Sequence, residues 1–359
     1  MAKVRYAVIG AGWISQEAFM PSIAQTGNAE IAAIVSGNAA KARKLADFHK
    51  VPQVVDYRDF DALAKSGAID AVYVATPNSS HAAWAIRAAK HGLHAMVEKP
   101  LATTVAESKK MIAAHKKAGT YLMTAYRLHN EVATQKVAEI IASGAIGRPR
   151  FFTSAFAFQS GTSNHRLLAE HWGGPLQDVG VYCVNAARHC FGTNPFAASA
   201  TRSSGHKDKR FKEVEEGIAA TLEFPEGCMA QFYAGFGSEV ADTYTILGTK
   251  GTIRLDNAYR FEQPRRLTLE IAGKPQQVFD FAPTDNFSGM AAYFADCIKK
   301  RKAPLADGAE GLADMQVLLA VEAASKTNKR QKIKITGKVA TIDKKMLRQF
   351  PPVQHRLVL

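Results

Sequence analysis

Cysteine is scarce in this chain: Cys183, Cys190, Cys228 and Cys297 are scattered through 359 residues without a CxxC pair or ligand-type spacing. That excludes a disulfide frame and a zinc site, so no metal is expected, and it suits reduced thiols in a cytoplasm. Apolar runs are short, none approaching the roughly 20 residues that cross a bilayer, so no membrane partner is expected. The opening MAKVRYAVIG enters a strand pattern without a charged n-region, apolar core and cleavage site; a cytoplasmic location is the expectation. Internal repeats and low-complexity tracts are absent. Acid is outnumbered, with 32 Asp and Glu against 46 Lys and Arg and a formal charge of +14. The excess is spread from Lys3 to Arg356 without a nucleic-acid-binding motif. It reads as a solvated basic surface suited to a phosphorylated small molecule, with no nucleic-acid partner.

What the chain does have is length and alternation. At 359 residues and 47% apolar composition it exceeds the usual single core and predicts two domains. Short β-branched runs at 4–10, 31–36, 54–55, 71–75, 94–97 and 121–125 alternate with helical patterns at 17–26, 39–49, 59–66, 82–91 and 105–117. That is the signature of βαβ units, and it predicts an N-terminal Rossmann-type, doubly wound parallel sheet over 1–125. The texture then changes. Helical patterns at 131–143 and 176–191 flank an aromatic run at 151–158, and turn-separated strand patterns follow at 219–224, 229–236, 244–247, 252–255, 267–271 and 277–281. With helices at 287–301 and 310–327 they predict a second α/β domain, 126–359, built on a large open, mostly antiparallel sheet.

Four strand ends carry chemistry. After the first strand comes Gly10-Ala11-Gly12-Trp13-Ile14-Ser15. Gly10 permits a tight turn, and Gly12 lets the backbone approach a pyrophosphate that a helix N-terminus stabilises. Ser15 stands where a third Gly or Ala is usual. The second strand ends in Ser36-Gly37-Asn38-Ala39-Ala40-Lys41-Ala42-Arg43-Lys44, with no acid to bind a ribose 2′-hydroxyl or repel a 2′-phosphate. A hydroxyl, an amide and nearby cations favour NADP over NAD. The fourth strand ends in Thr76-Pro77-Asn78 with His81 close by, and the fifth in Glu98-Lys99-Pro100, both at the carboxyl edge where ligands bind. His81 reads as a helix-start or packing residue and not as a catalyst.

The segment Trp172 to Asn185 (WGGPLQDVGVYCVN) is the most informative of the second domain. With Pro175 in the first helical turn, Asp178 and Tyr182 fall four apart on one face, and Asn185 follows close behind. A carboxylate beside a phenol and an ammonium tunes proton transfer. A buried tyrosine bonded to a helical aspartate is the purely structural alternative.

Together, Gly10-x-Gly12, Ala75-Thr76-Pro77-Asn78 with His81, Glu98-Lys99-Pro100 and Gly173-Gly174-x-Leu176-x-Asp178-x-Gly180-x-Tyr182 resemble the glucose-fructose oxidoreductase, inositol dehydrogenase and rhizopine-catabolism family. The resemblance continues into Arg210 to Glu215 and Gly308 to Asp314, and lies nearest to the glucose-fructose oxidoreductase branch. It implies that Lys99 positions and polarises a sugar hydroxyl, that Tyr182 is general base in oxidation and general acid in reduction, and that Asp178 holds substrate and Tyr182 in place. Inositol dehydrogenases usually carry histidine at the position of Tyr182, so the tyrosine points to the aldose- and dihydrodiol-oxidising branch. Ser36 and Lys41 match the positions that hold the 2′-phosphate in NADP-using members. Tyr126, Arg127, His129, His165 and Arg166 are candidate substrate contacts.

The expected activity is therefore NADP-dependent oxidation of a cyclic aldose at C1 to a lactone. Two modes stay open: tightly bound NADP(H) shuttling hydride to a second sugar, or an exchanging cofactor as in D-xylose or trans-dihydrodiol dehydrogenases. A non-catalytic nucleotide sensor is a rival of another class, but it has no use for Lys99, Asp178 and Tyr182 together. The resemblance further implies a homo-oligomer, dimer or tetramer, assembled through the second sheet.

Overall fold

The computed structural model describes residues 2–162, 164–204, 207–337, 339–340 and 342–359. Six short strands, β1 (Val4–Ile9), β2 (Ala29–Val35), β3 (Gln53–Val55), β4 (Ala71–Val74), β5 (His94–Val97) and β6 (Leu122–Thr124), pair in parallel in the order β3-β2-β1-β4-β5-β6. Strands β1, β4 and β5 are almost wholly buried, which is why they read as continuous apolar runs rather than alternating ones. The chain reverses its winding between β1 and β4, the place where a doubly wound sheet opens a ligand crevice.

The crossovers are α1 (Met20–Ile23), α2 (Ala39–His49), α3 (Phe60–Lys65), α4 (His81–Lys90) and α5 (Val105–Ala118). The first differs from expectation. Residues 17–26 read as one helix, whereas the chain makes a π-helical turn over Ser15–Phe19 before α1. Pro21 has no N–H to continue a regular ladder and sits at the start of α1.

The second sheet has nine strands: β7 (Pro149–Ala157), β8 (Ala197–Ser203), β9 (Gly217–Glu223), β10 (Met229–Gly235), β11 (Ala241–Gly248), β12 (Gly251–Asp256), β13 (Arg265–Ile271), β14 (Gln277–Phe281) and β15 (Gln331–Lys332). Their order is β14-β13-β12-β11-β7-β10-β9-β8-β15, antiparallel except where β7 meets β10. Helices α6 (Val132–Ala142) and α7 (Val181–Phe191) pack on it. On the opposite face Thr153, Ser199, Thr201, Thr221, Gln231 and Tyr233 line an open depression of about 600 Å³. The α/β class, the parallel first sheet and the mostly antiparallel second sheet are as the sequence predicts.

Domain limits are less simple. One compact unit comprises Met1–Glu131, Thr284–Gly311 and Lys345–Leu359, the other Val132–Pro283 and Leu312–Lys344; the sequence put all of 126–359 in the second. The cause is α8 (Asn286–Lys299), buried almost all round from Asn286 to Cys297. It is packed in the first unit against α1, β1 and β2. Asn28 Nδ2 donates to Ala292 O at 3.0 Å and to Asp296 Oδ1 at 2.9 Å, and Ser288 Oγ donates to Ser22 O at 2.8 Å. The division between units falls within α9 (Gly308–Thr327). Among the described residues no helix is long and apolar enough to cross a membrane.

Candidate active site

In the first unit, the turn after β1 is built around Gly10, whose φ of +97° and Ala75 carbonyl 2.8 Å from the place of a Cβ admit only glycine. Ser15 keeps this turn tight: its buried hydroxyl donates to Gly10 O at 2.7 Å, so the departure from a third glycine becomes a local tie. Gly12 is different. A Cβ there would meet only Ala75 O, at 3.9 Å, so packing does not demand glycine. The open space suits a group that comes close to the backbone, as a pyrophosphate would.

At the end of β2, Ser36 is buried and its Oγ accepts from Asn38 N at 3.2 Å. Asn38 caps α2, its Oδ1 accepting from Lys41 N at 3.0 Å. Its oxygen is thereby engaged, leaving the Ser36 hydroxyl, the Lys41 ammonium and the acid-free first turn of α2 as the groups that fit a 2′-phosphate. Tyr57 was missed by sequence reasoning. Its ring lies 3.3 Å from the place of a Cβ on Gly37 and 5.2 Å from the Trp84 ring, and no spacing rule connects residues twenty apart in different elements.

The loops after β4 and β5 are joined by one imidazole. The His81 ring nitrogens lie 2.9 Å from Thr76 O and 3.0 Å from Pro100 O, so His81 bridges Thr76-Pro77-Asn78 to the cis Lys99–Pro100 bond. Ser80 Oγ donates to Thr76 Oγ1 at 2.6 Å. Glu98 faces inward, its Oε1 accepting from the Tyr73 hydroxyl at 2.6 Å. Burial raises its carboxyl pKa, against the pull of the Lys99 charge and the Tyr73 bond. Lys99 itself is half-exposed. Tyr126, Arg127 and His129 are buried. Arg127 donates to Asn286 Oδ1 at 3.4 Å and lies over the Phe287 ring at 5.6 Å, tethering α8 within this unit.

In the second unit the helix read over 176–191 begins as a π-helical turn, Leu176–Gly180, before α7. Asp178 and Tyr182 lie on either side of that transition, both half-buried; such wide turns recur at functional sites. Asp178 is paired with Arg166, whose Nε stands 3.2 Å from Asp178 Oδ2. Sequence reasoning named both residues but not the pair. The two preceding glycines explain it: Gly174 N donates to Arg166 O at 2.8 Å and Gly173 N to Leu168 O at 3.1 Å, and a side chain on Gly173 would collide with the Arg166 carbonyl. The turn carrying His165 and Arg166 is thus pressed onto the start of the Asp178 turn. Glu215 supports the same corner from beneath, close to the place of a Cβ on Gly174, and burial raises its carboxyl pKa.

The Tyr182 ring meets Phe156 edge-on at 5.6 Å and Tyr259 at 6.1 Å. His165 is exposed, its ring 6.4 Å from His171. Asn185 turns away into the core. Its Nδ2 donates to Asp314 Oδ2 at 2.8 Å, and Asp314 also pairs with Arg188 of α7.

Residues 4–126 match the model of an oxidoreductase family with an NAD-binding Rossmann fold, and residues 134–254 match the GFO/IDH/MocA C-terminal domain. D-xylose 1-dehydrogenase (NADP(+)) of Haloarcula marismortui is 31% identical over 332 residues, 90% of this chain and 91% of that protein. The 1,5-anhydro-D-fructose reductase of Ensifer adhaerens is 29% identical over 92% of this chain and 98% of its own. Among solved structures, aldose-aldose oxidoreductase from Caulobacter crescentus superposes with a TM-score of 0.87 at 33% identity, covering 92% of this chain and all of that one. The chain belongs to the GFO/IDH/MocA oxidoreductase family.

Proposed function

We propose that this chain is an NADP-dependent oxidoreductase of sugar CH–OH groups that oxidises a cyclic aldose at C1 to the lactone. The observation that carries the proposal is the conjunction of an acid-free, hydroxyl-bearing turn at the end of β2 with a tyrosine four residues after an arginine-paired aspartate. In this reading Gly10, Gly12, Trp13 and Ile14 receive the pyrophosphate, and Ser36, Gly37, Asn38 and Lys41 the 2′-phosphate. Thr76, Pro77, Asn78, His81 and Glu98 shape the floor on which Lys99 stands. When bound, NADP+ supplies the hydride acceptor.

The remaining work falls to the protein. Lys99 polarises the C1 hydroxyl, Tyr182 takes its proton at Oη, and Asp178, oriented by Arg166, holds the sugar. His165 and Arg166 belong to the sugar-binding turn; Tyr126 and Arg127, buried in the first unit, are further proposed sugar contacts. The names of the relatives favour two modes equally, an exchanging cofactor as in a D-xylose dehydrogenase and an internal shuttle as in an aldose-aldose oxidoreductase. Nucleotide recovered from denatured, cofactor-free-purified protein separates them, since only the shuttle retains stoichiometric NADP(H). The face of the second sheet that carries Thr153, Ser199, Thr201, Thr221, Gln231 and Tyr233 is the proposed surface for assembly into a homo-oligomer.

The test is initial-rate kinetics with D-xylose, D-glucose and D-galactose and either nucleotide. NADP+ is expected to exceed NAD+ in kcat/KM, and Ser36→Asp to cut that ratio by roughly tenfold or more by setting a carboxylate against the 2′-phosphate. A wild-type preference for NAD+, or no aldose oxidation with either nucleotide, overturns the proposal.

A further inference from the structure

Residues 350–359 run as an irregular segment against the first helical turns of the first unit, and their contacts converge on the dinucleotide turn. Asp285 N donates to Phe350 O at 2.9 Å and Gln25 Nε2 to Pro351 O at 3.2 Å. Pro351 and Pro352 restrict the backbone that follows. Pro21 has no N–H to offer the carbonyl four residues before it, that of Glu17; Arg356 Nε donates to this carbonyl at 2.8 Å and stands 3.6 Å from Glu17 Oε1.

The last contact reaches the site. Leu359 N donates to Gln16 Oε1 at 2.7 Å, while the other end of the same amide, Gln16 Nε2, donates to Ala11 O at 2.7 Å. Gln16 is 1% exposed, so its amide is shielded from water and its polar atoms are costly to leave without partners. Ala11 lies between Gly10 and Gly12. One buried amide therefore couples the 350–359 segment to the turn proposed to cradle the pyrophosphate.

We infer that residues 350–359 are a strap that fastens the Gly10-Ala11-Gly12 turn through Gln16 and thereby slows release of the dinucleotide. The inference rests on the dinucleotide reading of that turn. A turn held on its inner side by Ser15 and on its outer side by the strap stays arranged for the phosphate oxygens. Releasing the strap lets the turn fluctuate and shortens the residence time of the ligand, an effect expected in the dissociation rate more than in association.

The experiment uses two full-length variants. Arg356→Glu removes the donor to the Glu17 carbonyl and sets like charges together; Gln16→Met keeps length and apolar volume but removes both amide bonds. Two quantities are read: NADPH dissociation, by stopped-flow displacement fluorescence, and hydrogen exchange of the 11–16 amides without nucleotide. Each variant is expected to speed dissociation by about tenfold and to raise exchange at 11–16, with the double variant no worse than the more severe single, because both act on one coupling. Should Arg356→Glu not fold, Arg356→Ala reads the same quantities. Unchanged dissociation and unchanged exchange overturn the strap. If the wild type fails to bind NADPH while the variants still raise exchange at 11–16, the dinucleotide reading falls and the release half of the inference falls with it.

Discussion

In the first unit the loops around the proposed cofactor positions are held by side chains reaching carbonyls a few residues away, Ser15 to Gly10, Gln16 to Ala11 and His81 to Thr76, with His81 adding Pro100. The second unit places Asp178 and Tyr182 by other means: an arginine twelve residues before the aspartate, a pair of glycines without room for side chains, and a carboxylate thirty-seven residues beyond, at Glu215. The cores differ in the same way. The first unit buries the imidazole of His115, whose pKa burial lowers; the second buries an ion pair, Arg188 with Asp314, at 0% and 1% side-chain exposure. A dinucleotide cradle is mostly backbone and can be fixed by short-range bonds. A proton-transferring pair needs charges set at chosen points, and those come from distant stretches of chain.

Breaking the buried pair is expected to have the largest effect. Asp314→Ala leaves Arg188 charged in the core and Asn185 without its acceptor, at a cost of roughly 3–5 kcal/mol. Urea denaturation should show this loss, with hydrogen exchange concentrating it in α7 and α9. Equal loosening of the parallel sheet would erase the contrast between the units.

The matching weakness of the first unit is acid. Burial lowers the pKa of His115, 2% exposed, from 6.5 to about 4. The native state thus binds fewer protons than the unfolded chain between those values, so stability is fully present above pH 6.5 and lost as pH falls through about 4. The drop corresponds to roughly 3 kcal/mol, with His49 and His94, also lowered by burial, acting in the same sense. His115→Gln should flatten the pH dependence of Tm over that window; an unchanged slope would assign the acid sensitivity elsewhere.

Arg166→Gln probes the proposed catalytic corner with a smaller effect. Losing a charged hydrogen bond of about 1.5–3 kcal/mol should lower kcat/KM for the sugar by roughly ten- to a hundredfold while NADPH affinity stays put. A change in NADPH affinity instead would show that the corner serves the cofactor.

The same contrast explains what was legible. Gly10, Ser36 and Lys99 sit at strand ends recognisable from period and punctuation alone, so the parallel sheet and its edge could be read directly. The return of α8 could not: its apolar residues announce a buried helix, but nothing in them says which core receives it. β8, written AASATRS, and the two-residue β15 lack the β-branched density that reveals a strand. Asp178 and Tyr182 were found by their spacing on an α-helix, yet Asp178 lies in a π-helical turn that ends before Tyr182 and that spacing does not disclose. Tyr57, Glu215 and the Arg166 pairing arise from tertiary packing and have no local signature.

The most direct measurement of the central claim is kcat for aldose oxidation by Tyr182→Phe, taken beside its NADPH affinity and Tm. Phenylalanine keeps the ring that meets Phe156 and Tyr259 and removes only the proposed base. The account predicts a fall in kcat of about 10²–10⁴-fold with affinity and Tm unchanged; a kcat within twofold of wild type would contradict it.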